Sequence, residues 1–406
     1  MVRFSRTSAL TRRTLLLVGA AAACALIVGA AAPVRAVDRY LEDVRVSLLS
    51  SPAPQSDAIV IVAIDEAALA ALEYVSPINR NVVARLLASI DEAAPRAIGV
   101  DILLDRRSDP RADAALAAAL EAARAPVVAV VNPGGEAASS HCGGPPIRSG
   151  TRAARNDAPT GRDATLLALY EPLAISAHGL LCLDRVDGVA RRMRFEPVGA
   201  FPAFAAALAG VSGIDAPRGR VALDYRLTAE DATPFMTIAA SALGDVPLAA
   251  RKALFADKFV LIGGVSPYGA DWRETPLRFA DIAWPLAFDV APPSGALPGV
   301  TVHAYALQTA LTGRTGARAG AWARAGGALL GAALGCVIGT WRAPVAANAV
   351  VGVIGLAAVF GGAFVAYAGV GLMIPIAETA LGLGGAAFGA LADRARRERR
   401  ARLEIR

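Results

Sequence analysis

Long apolar runs lie near both ends of this 406-residue sequence, and shorter ones fill its middle. Residues 15–34 carry no charge, and about 20 apolar residues suffice to cross a hydrocarbon layer as a helix. Three further apolar runs follow between Arg324 and Asp393, and the last of them contains Glu378 as its single charge. We therefore predict four transmembrane helices, at residues 15–37, 322–341, 344–367 and 370–392.

The pattern in the middle predicts an α/β domain. Apolar runs of strand length lie at residues 58–64, 97–104, 126–131 and 259–262, and residues 80–93, 113–123 and 302–311 have helical spacing. This alternation is typical of a mainly parallel sheet with flanking helices, here over residues 38–321. Residues 132–162 are rich in glycine and proline with little periodicity, which predicts a long inserted loop.

Composition and charge sharpen this division. The chain is 55% hydrophobic and 19% charged, with a net charge of +6, but the charge is unevenly distributed. Residues 1–14 hold four arginines and no acid, residues 393–406 hold seven arginines and three acids, and residues 38–321 hold 27 basic and 31 acidic residues. Because Arg and Lys collect in cytoplasmic segments, we expect both basic termini in the cytoplasm and the middle domain in the periplasm of a bacterium. We expect the lipid bilayer of the inner membrane as a partner, and no nucleic acid.

The first apolar run has an alternative interpretation as a cleaved signal peptide. The run is longer than a usual signal-peptide core, and Val34-Arg35-Ala36 is a poor cleavage site. We therefore favour a retained membrane anchor.

Cysteine usage is consistent with an oxidising compartment. Cys142 and Cys182 are the two cysteines of the middle domain, so a disulfide between them is expected. A metal pair with His141, or two free thiols, are the alternatives. Cys24 and Cys336 fall inside predicted spans, where they behave as small apolar residues.

Acidic residues follow two of the predicted strands and point to a ligand site. In open α/β sheets ligands bind outside the carboxyl ends of the strands. Asp65 could instead cap the helix that follows it, and His303 could be a packed structural histidine. The candidate ligand-binding residues at this edge are Asp65, Arg80, Asp101, Asp105, Asp271 and His303.

Motifs of enzymes are missing from the sequence. It contains no phosphate-binding Gly-Lys-Ser/Thr loop, no His-Glu-x-x-His and no Gly-x-Ser-x-Gly. We therefore expect no catalytic activity, no cofactor and no metal site. An envelope enzyme that uses Asp65 and Asp101 is the remaining catalytic alternative.

The predicted spans carry two features of their own. A glycine recurs every fourth residue in the second span, which lets helix backbones approach closely, either within this chain or in a dimer. Glu378 is a candidate functional carboxylate within the fourth span, and the sequence alone assigns it no partner. The glycines of the stripe are Gly327, Gly331, Gly335 and Gly339.

The middle domain also carries a series of short motifs. They are Ile59–Glu66 with Pro77–Arg80, Arg96–Leu103, Asp187–Val189 with Arg191 and Arg192, Phe201–Ala205, Lys258–Gly263, Asp271 with Thr275 and Pro276, and Pro298–Ala304. In their order and spacing they resemble the second class of CHASE extracytoplasmic sensor domains. The arrangement of one span before and three spans after the domain is also similar to that family.

This resemblance, over about residues 40–313, implies a receptor whose outer domain senses an unidentified extracytoplasmic ligand. In that family an adenylate or guanylate cyclase or a kinase commonly follows the last span. The sequence ends at Arg406, so we expect the effector to be a separate protein or to have been removed from this chain. We also expect a homo-oligomer or a partner in a membrane complex. The alternative function is a non-catalytic structural or scaffold subunit of such a complex.

Overall fold

The computed structural model describes residues 4–50, 52–70, 78–104, 108–133, 166–167, 177–180, 183–197, 202–228, 233–266, 272–280, 295–316 and 318–404. The chain forms two compact units. Met1–Ser50 together with Ala317–Arg406 is called the helical unit, and Ser51–Gly316 is called the α/β unit.

The described part of the chain contains eleven α-helices and twelve strands. The helices are α1 (Phe4–Gly29), α2 (Ala32–Leu49), α3 (Glu66–Ala70), α4 (Arg80–Asp91), α5 (Pro110–Ala122), α6 (Phe204–Val211), α7 (Leu248–Phe255), α8 (Gly299–Thr312), α9 (Ala321–Thr340), α10 (Val345–Val370) and α11 (Ile376–Glu404). The strands are β1 (Ser56–Ile64), β2 (Ala97–Asp101), β3 (Val127–Pro133), β4 (Leu166–Leu167), β5 (Ala177–Leu180), β6 (Leu183–Val186), β7 (Val189–Arg194), β8 (Arg220–Ala222), β9 (Phe235–Ala239), β10 (Phe259–Gly264), β11 (Trp272–Glu274) and β12 (Ala296–Pro298).

A parallel sheet forms the centre of the α/β unit, which confirms the predicted fold class. Its strands run in the order β5-β3-β2-β10-β1-β9, all parallel, and β4 adds a short antiparallel pair to the end of β3. Although β10 comes late in the chain, it lies between β1 and β2. A separate antiparallel sheet contains β6, β7 and β8, and β11 pairs with β12.

Helices cover both faces of the parallel sheet. On one face α4, α5 and α7 pack over a core that includes Val60, Leu87, Leu116 and Phe255, all at most 1% exposed. On the other face α6 and α8 contact the strands. The four strands and three helices predicted from periodicity are all present, but β5 and β9 were missed because neither is a long apolar run.

Local capping explains where two of these helices begin. Asn79 accepts a hydrogen bond from the Asn81 amide at 3.0 Å, before α4. Asp109 accepts from the Arg111 and Ala112 amides at 3.0 and 2.9 Å, and Pro110 occupies the first turn of α5. This cap starts α5 three residues earlier than the predicted helix at 113–123, because carboxylate caps satisfy the free amides of a first turn.

The first helical segment is broken rather than continuous. α1 ends at Gly29, and α2 begins at Ala32 with a proline in its first turn. The predicted span at residues 15–37 therefore covers the end of one helix and the start of another. Proline suits a first turn because its missing N–H group has no partner there anyway.

The glycine stripe of α9 faces α11 of the same chain. A Cβ atom added to Gly331 or Gly335 would collide with the Thr379 or Leu383 carbonyl, and one added to Gly339 would lie 2.5 Å from the Ala387 oxygen. The two backbones can approach this closely because glycine has no side chain.

Three helices in the described residues are long and apolar enough to cross a membrane. The apolar stretches are Arg12–Gly29, Ala321–Thr340 and Val345–Val370. The fourth predicted span, at 370–392, is not among them, because α11 begins only at Ile376 and contains Glu378 in its first turn. The predicted loop at 132–162 begins with two residues of β3, and its remainder lies outside the described residues.

Candidate functional site

The carboxyl edge of the parallel sheet brings two of the candidate residues to one place. Asp101 ends β2 and is paired in register with Gly263 of β10. Asp65 follows β1, whose Ala63 is paired with the same glycine. The strand ends that carry the two carboxylates therefore flank β10, at the edge where α/β sheets bind ligands.

Asp101 is the most unusual group at this edge. Its Oδ2 atom is buried and accepts no hydrogen bond in the part of the chain that the structure describes. Burial raises the pKa of Asp101 to about 7, and the positive charge of Arg273 opposes this increase. A carboxyl with this pKa exchanges a proton near neutral pH, and its unused oxygen can accept a hydrogen bond from a ligand.

Asp65 is engaged within the domain. Its Oδ2 atom accepts a hydrogen bond from the Ser241 hydroxyl at 2.6 Å, and its Oδ1 accepts from the Ser241 amide at 3.3 Å. The carboxylate thus joins the end of β1 to the segment after β9. These bonds run to a neighbouring segment and differ from the alternative in which Asp65 caps α3.

Arg80 and His303 lie within the helical layers. Arg80 is 1% exposed at the start of α4, and its Nε lies 3.8 Å from Asp113 Oδ1 of α5. His303 is 2% exposed in α8, with its ring edge-on to Phe204 at a centroid distance of 5.3 Å. Both positions suit packing, and their convergence with Asp101 on one ligand stays a prediction.

Four of the predicted residues lie outside the part of the chain that the structure describes. Asp105 and Asp271 lie outside the described residues, and so do Cys142 and Cys182, the two ends of the expected disulfide. Cys24 and Cys336 are free thiols in α1 and α9.

Glu378 has a neighbour of opposite charge that the sequence did not reveal. Its Oε1 lies 3.6 Å from Arg324 Nε at the start of α9, and the Glu378 side chain is 5% exposed. Gly29 lies over it, since a Cβ atom added there would be 2.8 Å from Glu378 Cγ. The Glu378 Oε2 atom accepts no hydrogen bond within the described residues.

A set of buried charges on α2 was missed from the sequence. Asp38, Glu42 and Arg45 are at most 7% exposed. Asp38 Oδ1 accepts hydrogen bonds from the Ile376 and Ala377 amides, both at 3.3 Å. Arg45 Nη1 donates to the Ile374 carbonyl at 2.8 Å.

A signal for this set was present in the sequence. The three charged residues are spaced by four and three positions, so that they share one helix face. Burial raises the pKa of Glu42, and Arg318 is the main charge that opposes the increase. Burial also lowers the pKa of the Arg45 guanidinium.

Comparison with protein families assigns the chain. The sequence model of the CHASE2 domain matches residues 20–340, which is most of the chain. The protein belongs to the CHASE2 family. CHASE2 domains are extracytoplasmic sensory domains, so the resemblance seen in the motifs is confirmed. Neither the curated proteins nor the solved structures gave a match.

The CHASE2 match defines which elements carry the family's features. It begins within α1, contains α2 and the whole α/β unit, and ends with α9. The carboxyl edge with Asp65 and Asp101 and the buried charges of α2 all lie inside it. The CHASE2 chain is therefore a membrane-associated protein with a sensory domain, and α10 and α11 follow the matched region.

Proposed function

We propose that this protein is a bacterial inner-membrane sensor. Its CHASE2 domain faces the periplasm, detects an extracytoplasmic signal and relays it through the membrane helices to a cytoplasmic effector, a cyclase or kinase. The observation that carries the proposal is the family match over an α/β unit preceded by α1 and followed by α9 and α10, all long and apolar enough to cross a membrane.

The arginine distribution supports an orientation with both termini in the cytoplasm. Residues 1–14 and 393–406 are basic, and Arg342 lies between α9 and α10. Trp322 and Trp341 lie at the two ends of α9 and are 89% and 54% exposed. Tryptophans at both ends are typical of a helix whose ends reach the two membrane interfaces.

Contacts at both ends of α11 support a fourth crossing. Near its start, Glu378 lies beside Arg324 at the start of α9. Farther along, Arg394 Nη1 donates to the Trp341 carbonyl at 2.9 Å, at the end of α9. Because the two helices run parallel and lie side by side from their starts to the end of α9, we expect α11 to cross the bilayer wherever α9 does.

We place the ligand site at the carboxyl edge of the sheet, with Asp101 as its central group. The buried, unused carboxyl oxygen favours a ligand that donates a hydrogen bond or carries a positive charge. Asp65 lies at the same edge, whereas Arg80, Asp105, Asp271 and His303 remain candidates for lining the site or supporting its walls.

The topology is tested with reporter fusions. We expect green fluorescent protein fused after Glu404 to fluoresce and alkaline phosphatase inserted after Gly313 to be active. An active phosphatase at the C-terminus would contradict the fourth crossing.

The sensor function is tested by affinity purification from native membranes, with mass spectrometry of bound proteins and small molecules. We expect a cyclase or kinase and a small molecule to be retained. We expect Asp101→Ala to lose the small molecule and Asp57→Ala, at an exposed acid of β1, to keep it. Structural envelope proteins as the only partners, with no small molecule, would instead support the scaffold function.

A further inference from the structure

The start of α11 is held by a helix that is distant in sequence. Between α10 and α11, residues 371–375 are not helical. Asp38 of α2 accepts from the Ile376 and Ala377 amides, and Arg45 of α2 binds the Ile374 carbonyl. We call these three contacts the α2 latch.

The latch supplies what a helix normally takes from its own sequence. The first amides of a helix have no partner inside it, and a side chain just before the helix usually accepts their hydrogen bonds. Pro375, which precedes α11, has no side-chain acceptor. The Asp38 carboxylate takes this role from another helix, and its negative charge suits the positive end of the α11 dipole.

Other elements of the helical unit meet the same turn. Gly29, the last residue of α1, packs on Glu378, and Glu378 lies beside Arg324 of α9. Glu42 of α2 interacts electrostatically with Arg318, Asp38, Arg45 and Arg324. The first turn of α11 is thus surrounded by α1, α2 and α9.

Buried charges of this kind favour an all-or-none response. Removing one partner from a buried polar set leaves the other unsatisfied, which is costly, so such sets tend to be made or broken together. A shift of α2 would withdraw Asp38 and Arg45 from the turn at the same time. The break between α1 and α2 at Ala30 and Ala31 provides a point about which α2 can move.

We propose that the α2 latch couples the position of α2 to the start of α11, so that α2 and the first turns of α11 are engaged or released together. This inference rests on the proposed sensor function, because six residues after α2 the chain enters β1 of the CHASE2 domain, and α11 continues into the basic C-terminal segment. The latch is the step in the relay at which movement of the helix before the domain reaches the helix that leaves the membrane.

Hydrogen exchange of the full chain in lipid nanodiscs, followed by mass spectrometry, tests the latch. We expect Asp38→Ala to raise exchange on the order of tenfold both in α2 and in the first two turns of α11. The control is Asp109→Ala, which removes a carboxylate cap of the same kind from α5, and we expect faster exchange in α5 alone.

Two outcomes would overturn the latch. One is a rise confined to the first turn of α11 with α2 unchanged, which would make Asp38 a local cap. The other is no change in either helix. If Asp38→Ala does not yield monodisperse protein, Asp38→Asn, which keeps an acceptor oxygen, is used, and we expect a smaller rise in the same two helices.

A double-mutant cycle gives a readout that a local cap would not change. If Asp38 and Arg45 release together, Asp38→Ala combined with Arg45→Met raises α11 exchange about as much as either change alone. A double variant whose fold-increase in α11 exchange is the product of the two single increases would contradict the proposal. These measurements need neither ligand nor effector, so a failed latch leaves the sensor function standing, and a failed search for an effector leaves the latch standing.

Discussion

Each of the two units of this protein is stabilised internally by a different kind of contact. The core of the α/β unit contains large branched and aromatic side chains, such as Ile90, Leu116 and Phe255. One buried apolar cluster of the helical unit is made of small side chains: Ala22, Ala25, Ala328, Ala332, Cys336, Ala386 and Ala390. Burial of apolar surface from water stabilises the first unit, whereas close backbone approach and polar contacts stabilise the second.

The difference between the two cores matches the different surroundings expected for the two units, water for one and lipid for the other. In water, large apolar side chains gain from leaving the surface, so they fill the core. In a bilayer the tails are as apolar as leucine, so burying leucine between helices gains little and small residues fit the interface better. Accordingly Leu329, Leu330 and Leu334 of α9 are exposed on the helical unit, whereas its Gly331 and Ala332 are buried.

The largest expected effect is a cavity in the α/β unit. Leu87→Ala removes most of a side chain that is 1% exposed. We expect the free energy of unfolding of the α/β unit to fall by about 2–5 kcal/mol. Leu334→Ala, at a position 46% exposed on α9, is the matched change in the helical unit, and we expect a loss below about 1 kcal/mol. Thermal unfolding of the full chain, monitored by proteolysis at sites within each unit, measures the loss of stability in each variant. Equal losses would contradict the difference between the two units.

An intermediate effect is expected where the two helices approach. Gly331→Val forces a side chain into the Thr379 backbone and should destabilise the α9–α11 contact by about 1–3 kcal/mol. Cys336, 1% exposed on α9, reports the result through its rate of alkylation, measured by mass spectrometry. Gly361→Val on α10, where a Cβ atom would meet nothing within 4 Å, is the control and should leave that rate unchanged.

The last difference between the units concerns the pH dependence that a buried acid gives the α/β unit. The pKa of Asp101 is about 7 in the fold against 3.8 as its ordinary value, so the native state holds a proton that the unfolded chain has lost between these pH values. The contribution of Asp101 to stability is therefore largest at low pH and is lost as pH rises from about 4 to 7.

We expect Asp101→Asn to remove this dependence, so that the Asn variant is more stable than the natural chain at pH 8 and nearly equal to it at pH 4. Denaturant unfolding of the full chain at both pH values measures it. If the difference in free energy of unfolding between the Asn variant and the natural chain is the same at pH 4 and pH 8, Asp101 is ionised in the fold without an energetic cost.

Periodicity predicted the elements whose signal is local. The apolar runs at β1, β2, β3 and β10 and the helical spacing of α4 and α8 were enough to predict a parallel α/β sheet. The arginine-containing strands β6–β8 were missed because charged side chains interrupt their apolar pattern.

The site was only partly accessible from the sequence. The placement of Asp65 and Asp101 at strand ends followed from the βαβ pattern, since parallel strands end at one edge. The partner of Glu378 and the cap that Asp38 provides were not predictable, because each joins residues far apart in the chain. Helix periodicity could nevertheless have grouped Asp38, Glu42 and Arg45, had α2 been recognised as a helix of its own.

The position of β10 has a consequence for biosynthesis. This strand is synthesised about 200 residues after β1, yet it separates β1 from β2 in the finished sheet. Until Phe259–Gly264 emerges, both older strands display an unpaired edge, and such edges invite pairing with other chains. The centre of the domain is therefore completed late. We expect assembly of this protein in the cell to depend on preventing the unpaired edges of β1 and β2 from pairing with other chains until β10 is synthesised.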